Sequence, residues 1–331
     1  MRLTVPEAHD LIRRTLTHNG MPAGDAASVA DHLVDAGLAG HAFASLPRVI
    51  ALVDQLRRRG PSSPARIVAE TPVSVVIDGG NTNGYVTSLM AVDAAIARAG
   101  ASGIGMATVH NTWFSGRCSY YVERAARAGM VALHTANTSA RVAPWGGIDR
   151  VFGTNPLAVA FPRAAGHDPI VVDFTTAATT WGDVLLHLHT GRPLAEGCAV
   201  DPAGHPTSDP QAALDGAFLS WGGHKGSALG LVAQLLGVLA GSDPVVAEDG
   251  GSGFFFLVLD PALLGPDDGW MARTEALAAA IVGSRPTDPT VPVRLPGQQS
   301  ASRRRRATVA GTLDVDDEVY RKILALGPPG P

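Results

Sequence analysis

Gly100-Ala-Ser-Gly-Ile-Gly105 is glycine-rich enough to invite a dinucleotide-binding reading. That reading needs strand, glycine turn and helix in that order, so that a phosphate meets a helix N-terminus. Here the order is reversed. Residues 85–99 are Ala-rich and read as a helix, and Ile104–Val109 reads as a strand. The glycines therefore end a helix, and the Rossmann arrangement is set aside.

On the N-terminal side of this stretch, the first 60 residues read as helices. Pro6 suits a first helical turn, and Leu11, Ile12 and Leu16, then Ala26, Val29, Ala30, Leu33 and Val34, recur at helical spacing. Ser45 is placed to N-cap a further helix, with Pro47 in its first turn and Gly60 at its end. Val73–Ile77 reads as a strand that Asp78-Gly-Gly80 turns off. On the C-terminal side, 116–128, 180–190, 224–240, 269–283 and the tail from Val315 to Leu326 read as helices. Met130–Ala136, Leu157–Phe161, Ile170–Phe174 and Gly253–Asp260 read as strands, with Pro162 closing the second of them. Pro-rich residues 284–300 carry the chain between units. Mixed helices and strands with many glycine turns indicate an α/β (α+β) enzyme-like fold.

Length and composition bound the function. The 331 residues suggest two domains at roughly 100–200 residues each. A formal net charge of -4 argues against nucleic acid as the main partner. Cys118 and Cys198 are too few for a disulfide framework. The start, Met1–Arg14, has no apolar core of a signal peptide. The most apolar stretch, 228–240, falls short of the roughly 20 residues of a membrane span and reads as a buried helix. A cytoplasmic protein is expected. Lysine occurs only at 225 and 322, against 24 arginines.

Several motifs have ordinary readings. Arg303–Arg306 reads as a solvated or anion-touching surface. His187 and His189 lie two apart on a predicted helix and point to different faces, so no metal is expected there. HExxH, paired CxxC and GxSxG motifs are missing. Ala143-Pro-Trp-Gly-Gly147 and Gly153-Thr-Asn-Pro156 are tight turns. Gly222-Gly-His-Lys-Gly226 opens an apolar helix, and its free N–H groups with the Lys225 ammonium suit an anion.

The ordered set of APWGG (143–147), GTNP (153–156), VVDFTTA (171–177), EGCAVDPAGHPTSDP (196–210), GGHKGSALGL (222–231) and LPGQ (295–298) resembles the type-2 malate/L-lactate dehydrogenase family. Relatives of that family include ureidoglycolate dehydrogenase, diketogulonate reductase, sulfolactate dehydrogenase and the piperideine- and pyrroline-2-carboxylate reductases. The resemblance extends to the TLDVDDEVYRKILAL tail (312–326). It implies a non-Rossmann NAD(P)-dependent oxidoreductase and a homodimer with its site near the subunit interface. It also implies a helical domain from both chain ends, 1–112 with 285–331, and an inserted α/β cofactor domain, 113–284. By position, the family's cofactor contacts fall on Ser115, Gly116, Thr154, Asp173, Phe174, Thr175, Thr176, His224, Lys225, Gly226 and Gly297.

The catalytic centre departs from the family pattern. The family's Ser-His-Gly-x-x-Arg reads here Phe43-Ala-Ser-Leu-Pro-Arg48, so the His position is Ala44. Its Ser-Asn-His-Phe-Gly reads Thr112-Trp-Phe-Ser-Gly116, so the second His position is Phe114. Arg48 remains to hold a substrate carboxylate, with Phe43, Trp113 and Phe114 around it. A hydride added to a carbonyl carbon leaves an oxyanion that needs a proton, and Ala44 and Phe114 cannot donate one. His41 and Tyr120 are the candidate substitutes, with His110 and Tyr121 nearby. An iminium substrate is already protonated and needs no such donor. Three readings follow: an NAD(P)H-dependent reductase of an unusual 2-oxo or cyclic imino acid in specialised metabolism, a non-redox enzyme performing a cyclisation or isomerisation, or a catalytically silent dimeric binding protein.

Overall fold

The Ala-rich stretch forms a helix from Gly84 to Ser102, and Gly103, at φ 80°, ends it by donating its N–H to the Ala99 carbonyl over 2.7 Å. Glycine takes that left-handed stop without Cβ strain. The next strand, Ile104–Trp113, lies inside the main sheet. The computed structural model describes residues 1–265 and 269–328.

In chain order, β1 (Arg2–Thr4) leads into α1 (Val5–His18), α2 (Ala23–Leu38) and α3 (Arg48–Arg59). Then come β2 (Arg66–Glu70), β3 (Ser74–Asn83), α4 (Gly84–Ser102), β4 (Ile104–Trp113), α5 (Cys118–Arg127), β5 (Val131–Ala136), β6 (Pro156–Phe161) and β7 (Ile170–Thr175). A small lobe holds α6 (Trp181–Thr190), β8 (Ala199–Val200), β9 (Pro206–Thr207), α7 (Pro210–Asp215) and β10 (Ala217–Phe218). After it come α8 (His224–Leu239), β11 (Ser252–Leu259), α9 (Gly269–Val282), α10 (Gln298–Ala310), β12 (Thr312–Asp314) and α11 (Asp317–Leu326).

The main sheet runs β2-β3-β4-β11-β5-β6-β7. Only β3 and β4 are parallel, and every other neighbouring pair is antiparallel. This is a mixed sheet, not a doubly wound one. Val75, Ile77, Ala107, Val109, Phe254 and Phe256 of its strands share a core with Val92, Ala95 and Ala99 of α4 and Tyr121 and Val122 of α5. A second core joins the two chain ends. β1 pairs antiparallel with β12, and Leu3, Ile12, Leu33, Leu52, Leu313 and Ile323 pack together. Among the described residues, no helix is long and apolar enough to cross a membrane.

Several expectations are corrected. The sheet passes through the division drawn at residue 112, because β2, β3 and β4 belong to the same sheet as β5–β7 and β11. Asp78-Gly-Gly80 does not end its strand. It forms an irregularity inside β3, which resumes pairing at Thr82 with Thr112. Ser45 does not cap α3. Its hydroxyl donates to the Leu33 carbonyl at 2.8 Å and is buried. α8 is buried along Gly226, Ser227, Gly230, Ala233, Gln234 and Gly237, leaving Leu231, Val232, Leu235 and Leu239 exposed. The arginine run is not merely a solvated surface. It lies on α10, and Arg304 is packed between Asp35 and Glu123.

One core histidine gives the fold a pH dependence. His134 of β5 stacks on Phe256 with ring centroids 3.8 Å apart, and its Nδ1 lies 3.0 Å from the Phe255 carbonyl. Burial lowers its pKa to about 4. In the unfolded chain the same imidazole titrates near 6.5, so between those values the unfolded state binds the extra proton. Stability is fully present above pH 6.5 and falls, by roughly 3 kcal/mol from this group, as the pH drops toward 4. His134→Phe is expected to flatten the melting temperature against pH across that window. A variant as steep as the parent would refute the assignment.

Candidate active site

Sequence-distant segments meet around a cleft of about 960 Å³. Phe43 comes from a single helical turn, Ala42–Ala44, and Arg48 from the start of α3. Phe114, Ser115 and Gly116 follow β4, and Asp173, Phe174 and Thr175 end β7. Trp181 and Gly182 open α6, and Gly297, Ser300 and Arg304 come from the start of α10. His41, Trp113 and Thr154 also line it.

Arg48 is held by aromatic rings. Its guanidinium carbon lies 4.4 Å from the Phe114 ring centroid and 5.9 Å from that of Phe43. Such contacts fix the plane of a guanidinium while leaving its N–H edges free. Phe114 is itself constrained. It sits at φ 55°, a left-handed conformation rare for a bulky side chain, and its ring meets Trp113 edge-on at 5.4 Å. Phe43 is seated on Gly182, where an added Cβ would lie 2.0 Å from its ring. Gly182→Ala is therefore expected to displace Phe43 and cut turnover by at least about tenfold, with Phe43→Ala in the same chain recovering part of the loss. Full activity in the single variant would show that the seat is irrelevant.

The charges of the cleft are largely matched internally. Arg58 bonds Asp54, Arg141 bonds Glu248 and stacks on Trp181, and Arg59 bonds the Gln55 side chain and the Gly250 carbonyl. Arg117 pairs with Asp35. Arg304 spans Asp35 at 3.0 Å and both oxygens of Glu123 at 2.7 and 2.9 Å. Asp168 is shared by Arg127 and Arg305. Among the described residues, two groups of the lining stand apart. Arg48 has no hydrogen-bond or acidic partner, and Asp173 has no basic side chain bonded to it. Asp173 accepts the Ser119 N–H at 2.8 Å, yet the protein walls around it raise its carboxyl above the usual range.

The two expected substitute donors stand differently in the structure. His41 lines the cleft and meets the Ser300 hydroxyl at 3.2 Å. Burial, with Arg117, Arg304 and Arg303 around it, lowers its pKa to about 4, so at neutral pH it carries no proton to give as an imidazolium. Tyr120 is not part of the lining. Its ring packs 4.4 Å from His32, behind the cleft wall, and burial raises its hydroxyl above the usual value. His32 accepts the Arg117 N–H through Nε2, and its pKa is held well down by burial.

Most expected cofactor positions converge here. Ser115, Gly116, Thr154, Asp173, Phe174, Thr175 and Gly297 line the cleft. Thr176, His224, Lys225 and Gly226 do not. Thr176 accepts the Trp221 N–H through its carbonyl, and Trp221 meets Phe174 at 5.9 Å. α10 and α8 both start without a side-chain cap, so their first-turn N–H groups are open to an anion. With the apolar walls of Val171 and Phe174, this arrangement fits a long dinucleotide. Among the described residues, no group of His, Cys, Asp and Glu could hold a metal ion. His187 and His189 instead turn Nδ1 to the Asp183 and Leu185 carbonyls of their own helix.

The family model described as malate/L-lactate dehydrogenase matches residues 3–324. The chain belongs to that family. It is 30% identical over 324 residues to L-sulfolactate dehydrogenase of Methanocaldococcus jannaschii, covering 95% of this chain and 92% of that one. It is 32% identical over 339 residues to Delta(1)-pyrroline-2-carboxylate reductase 1 of Burkholderia ambifaria, covering 98% and 97%. The structure of delta1-piperideine-2-carboxylate reductase from Pseudomonas syringae superposes with a TM-score of 0.89 at 27% identity, covering 99% and 100%. The malate/L-lactate dehydrogenase family is one of NAD(P)-dependent oxidoreductases. Sequence reasoning toward that family did not find Glu123, Arg304 or Gly182 as parts of the site. Arg304 was hidden in an arginine run, and Gly182 carries no signal until Phe43 is seen resting on it.

Proposed function

We propose that this protein is an NAD(P)H-dependent reductase of a carboxylate-bearing substrate, a cyclic imino acid in preference to a 2-oxo acid. The observation that carries the reading is that, among the described residues, Arg48 has no acidic partner and Asp173 no basic one, in a cleft whose other charged side chains are engaged. Arg48 offers parallel N–H donors to a carboxylate. Asp173 offers an anion to a cationic iminium nitrogen. The reduced nicotinamide supplies hydride when bound. Phe43 and Phe114 shield the Arg48 guanidinium from water on its faces, which strengthens its hold on a carboxylate. An iminium carbon accepts hydride without needing a proton in the same step, which suits a cleft whose one lining imidazole titrates about 4.

The relatives named for pyrroline- and piperideine-2-carboxylate support the imino acid, and those named for sulfolactate and lactate support the oxo acid. The exposed stripe of Leu231, Val232, Leu235 and Leu239 on α8 supports a homodimer, since a single chain rarely leaves such a patch open. Two free, buried thiols support a cytoplasmic setting. Loss of both family imidazoles supports a role in specialised rather than central metabolism.

The test is titration of the purified protein with NADH and NADPH, followed by turnover of cyclic imino and 2-oxo acids. Micromolar binding of either nucleotide and faster imino turnover are expected. No nucleotide binding at millimolar concentration would overturn the reading, and faster oxo turnover would overturn the imino preference. Lys225 makes no ion pair among the described residues, and Lys225→Ala is expected to weaken nucleotide binding several-fold.

A further inference from the structure

We infer that the substrate carries a single anionic group, and that the rest of its body is apolar and branched or bulky. This rests on the proposed carboxylate clamp at Arg48 and narrows it. Six arginines line the cleft: Arg48, Arg58, Arg59, Arg117, Arg141 and Arg304. The last five are each bonded to an acid or to a neutral acceptor of the protein. Arg48 is left, and one guanidinium edge takes one carboxylate. No lysine lines the cleft.

A second carboxylate, sulfonate or phosphate on the substrate would have to break an internal ion pair or lie unpaired against ring faces. Burying an unpaired anion is strongly unfavourable. The rings against Arg48 are those of Phe43 and Phe114, an apolar collar in a lining that also holds Ala44 and Ala51. Phe43 cannot swing toward α6 to make room, because Gly182 already holds its ring. The collar therefore sets specificity by rejecting dianions as well as by accepting apolar bodies.

Two inert isosteres test this. 4-Methylpentanoate and succinate differ only in an isopropyl group against a carboxylate at the far end. Each is titrated calorimetrically into the full chain saturated with NADPH, or with NADH if that nucleotide binds more tightly. The expected result is 4-methylpentanoate binding at least about tenfold more tightly than succinate. Phe43→Ser is expected to shrink that ratio toward unity, and Arg48→Ala to remove binding of both acids. Equal affinities, or tighter succinate, would overturn the single-anion inference while leaving the Arg48 clamp intact. Failure of both acids to bind the nucleotide-loaded protein would overturn the clamp, and this inference with it.

Discussion

Arg48→Ala is expected to lower kcat/KM for the acid substrate by about 10²–10⁴-fold, mostly through KM. The size follows from removing two charge-assisted hydrogen bonds at once, each contributing about 1.5–3 kcal/mol. The effect falls on KM because the carboxylate is held equally in the ground state and the transition state. Arg48→Lys separates charge from shape. Lysine keeps the cation but not the planar fork, and it loses the stacking on Phe114 and Phe43 that orients the guanidinium. It is expected to recover less than about tenfold of the loss. Steady-state kinetics of the two variants decide the matter. Unchanged KM in Arg48→Ala would place the carboxylate elsewhere.

The second large effect is on stability. Glu123 of α5 receives both nitrogens of Arg304 and also bonds Arg127, with its side chain 10% exposed. Paired arginines outweigh its burial and hold its carboxyl below the usual range. Glu123→Ala leaves the partly buried Arg304 with Asp35 alone and is expected to cost about 3–5 kcal/mol in denaturant unfolding. Replacing both partners, Glu123→Met with Arg304→Met, removes the charges together and is expected to cost much less. A double variant as unstable as Glu123→Ala alone would mean that packing, not charge, dominates there. The same network ties α10 to α2 and α5, so it also sets the cleft wall that holds His41 against Ser300.

Local elements were largely legible in the sequence because the physics that makes them is local. The helix ending at Gly103 follows from an Ala-rich run and a glycine able to adopt φ 80°. β5, β6, β7 and β11 follow from short apolar, β-branched runs with clear breakers. β2 escaped notice because all five of its residues are exposed, which leaves no alternation to read. α10 escaped notice because four arginines conceal any apolar stripe.

The site divides the same way. From the resemblance to the family, laid residue by residue on the sequence, came the expectation of Arg48 as carboxylate clamp with Phe43 and Phe114 beside it, and the replacement of both family histidines by Ala44 and Phe114. These are matters of identity and order along the chain. What only the tertiary structure decided was which charges are already spent. Among the described residues, Arg48 differs from Arg117, Arg141 and Arg304 in having no acidic partner, and nothing in the local sequence distinguishes them. Likewise the sequence names His41 as a candidate donor but not its charge state, which burial and three arginines set by lowering its pKa to about 4. Charge state and availability depend on neighbours more than a hundred residues away in sequence, such as Ser300 and Arg304 beside His41. Those neighbours exist only once the chain has folded.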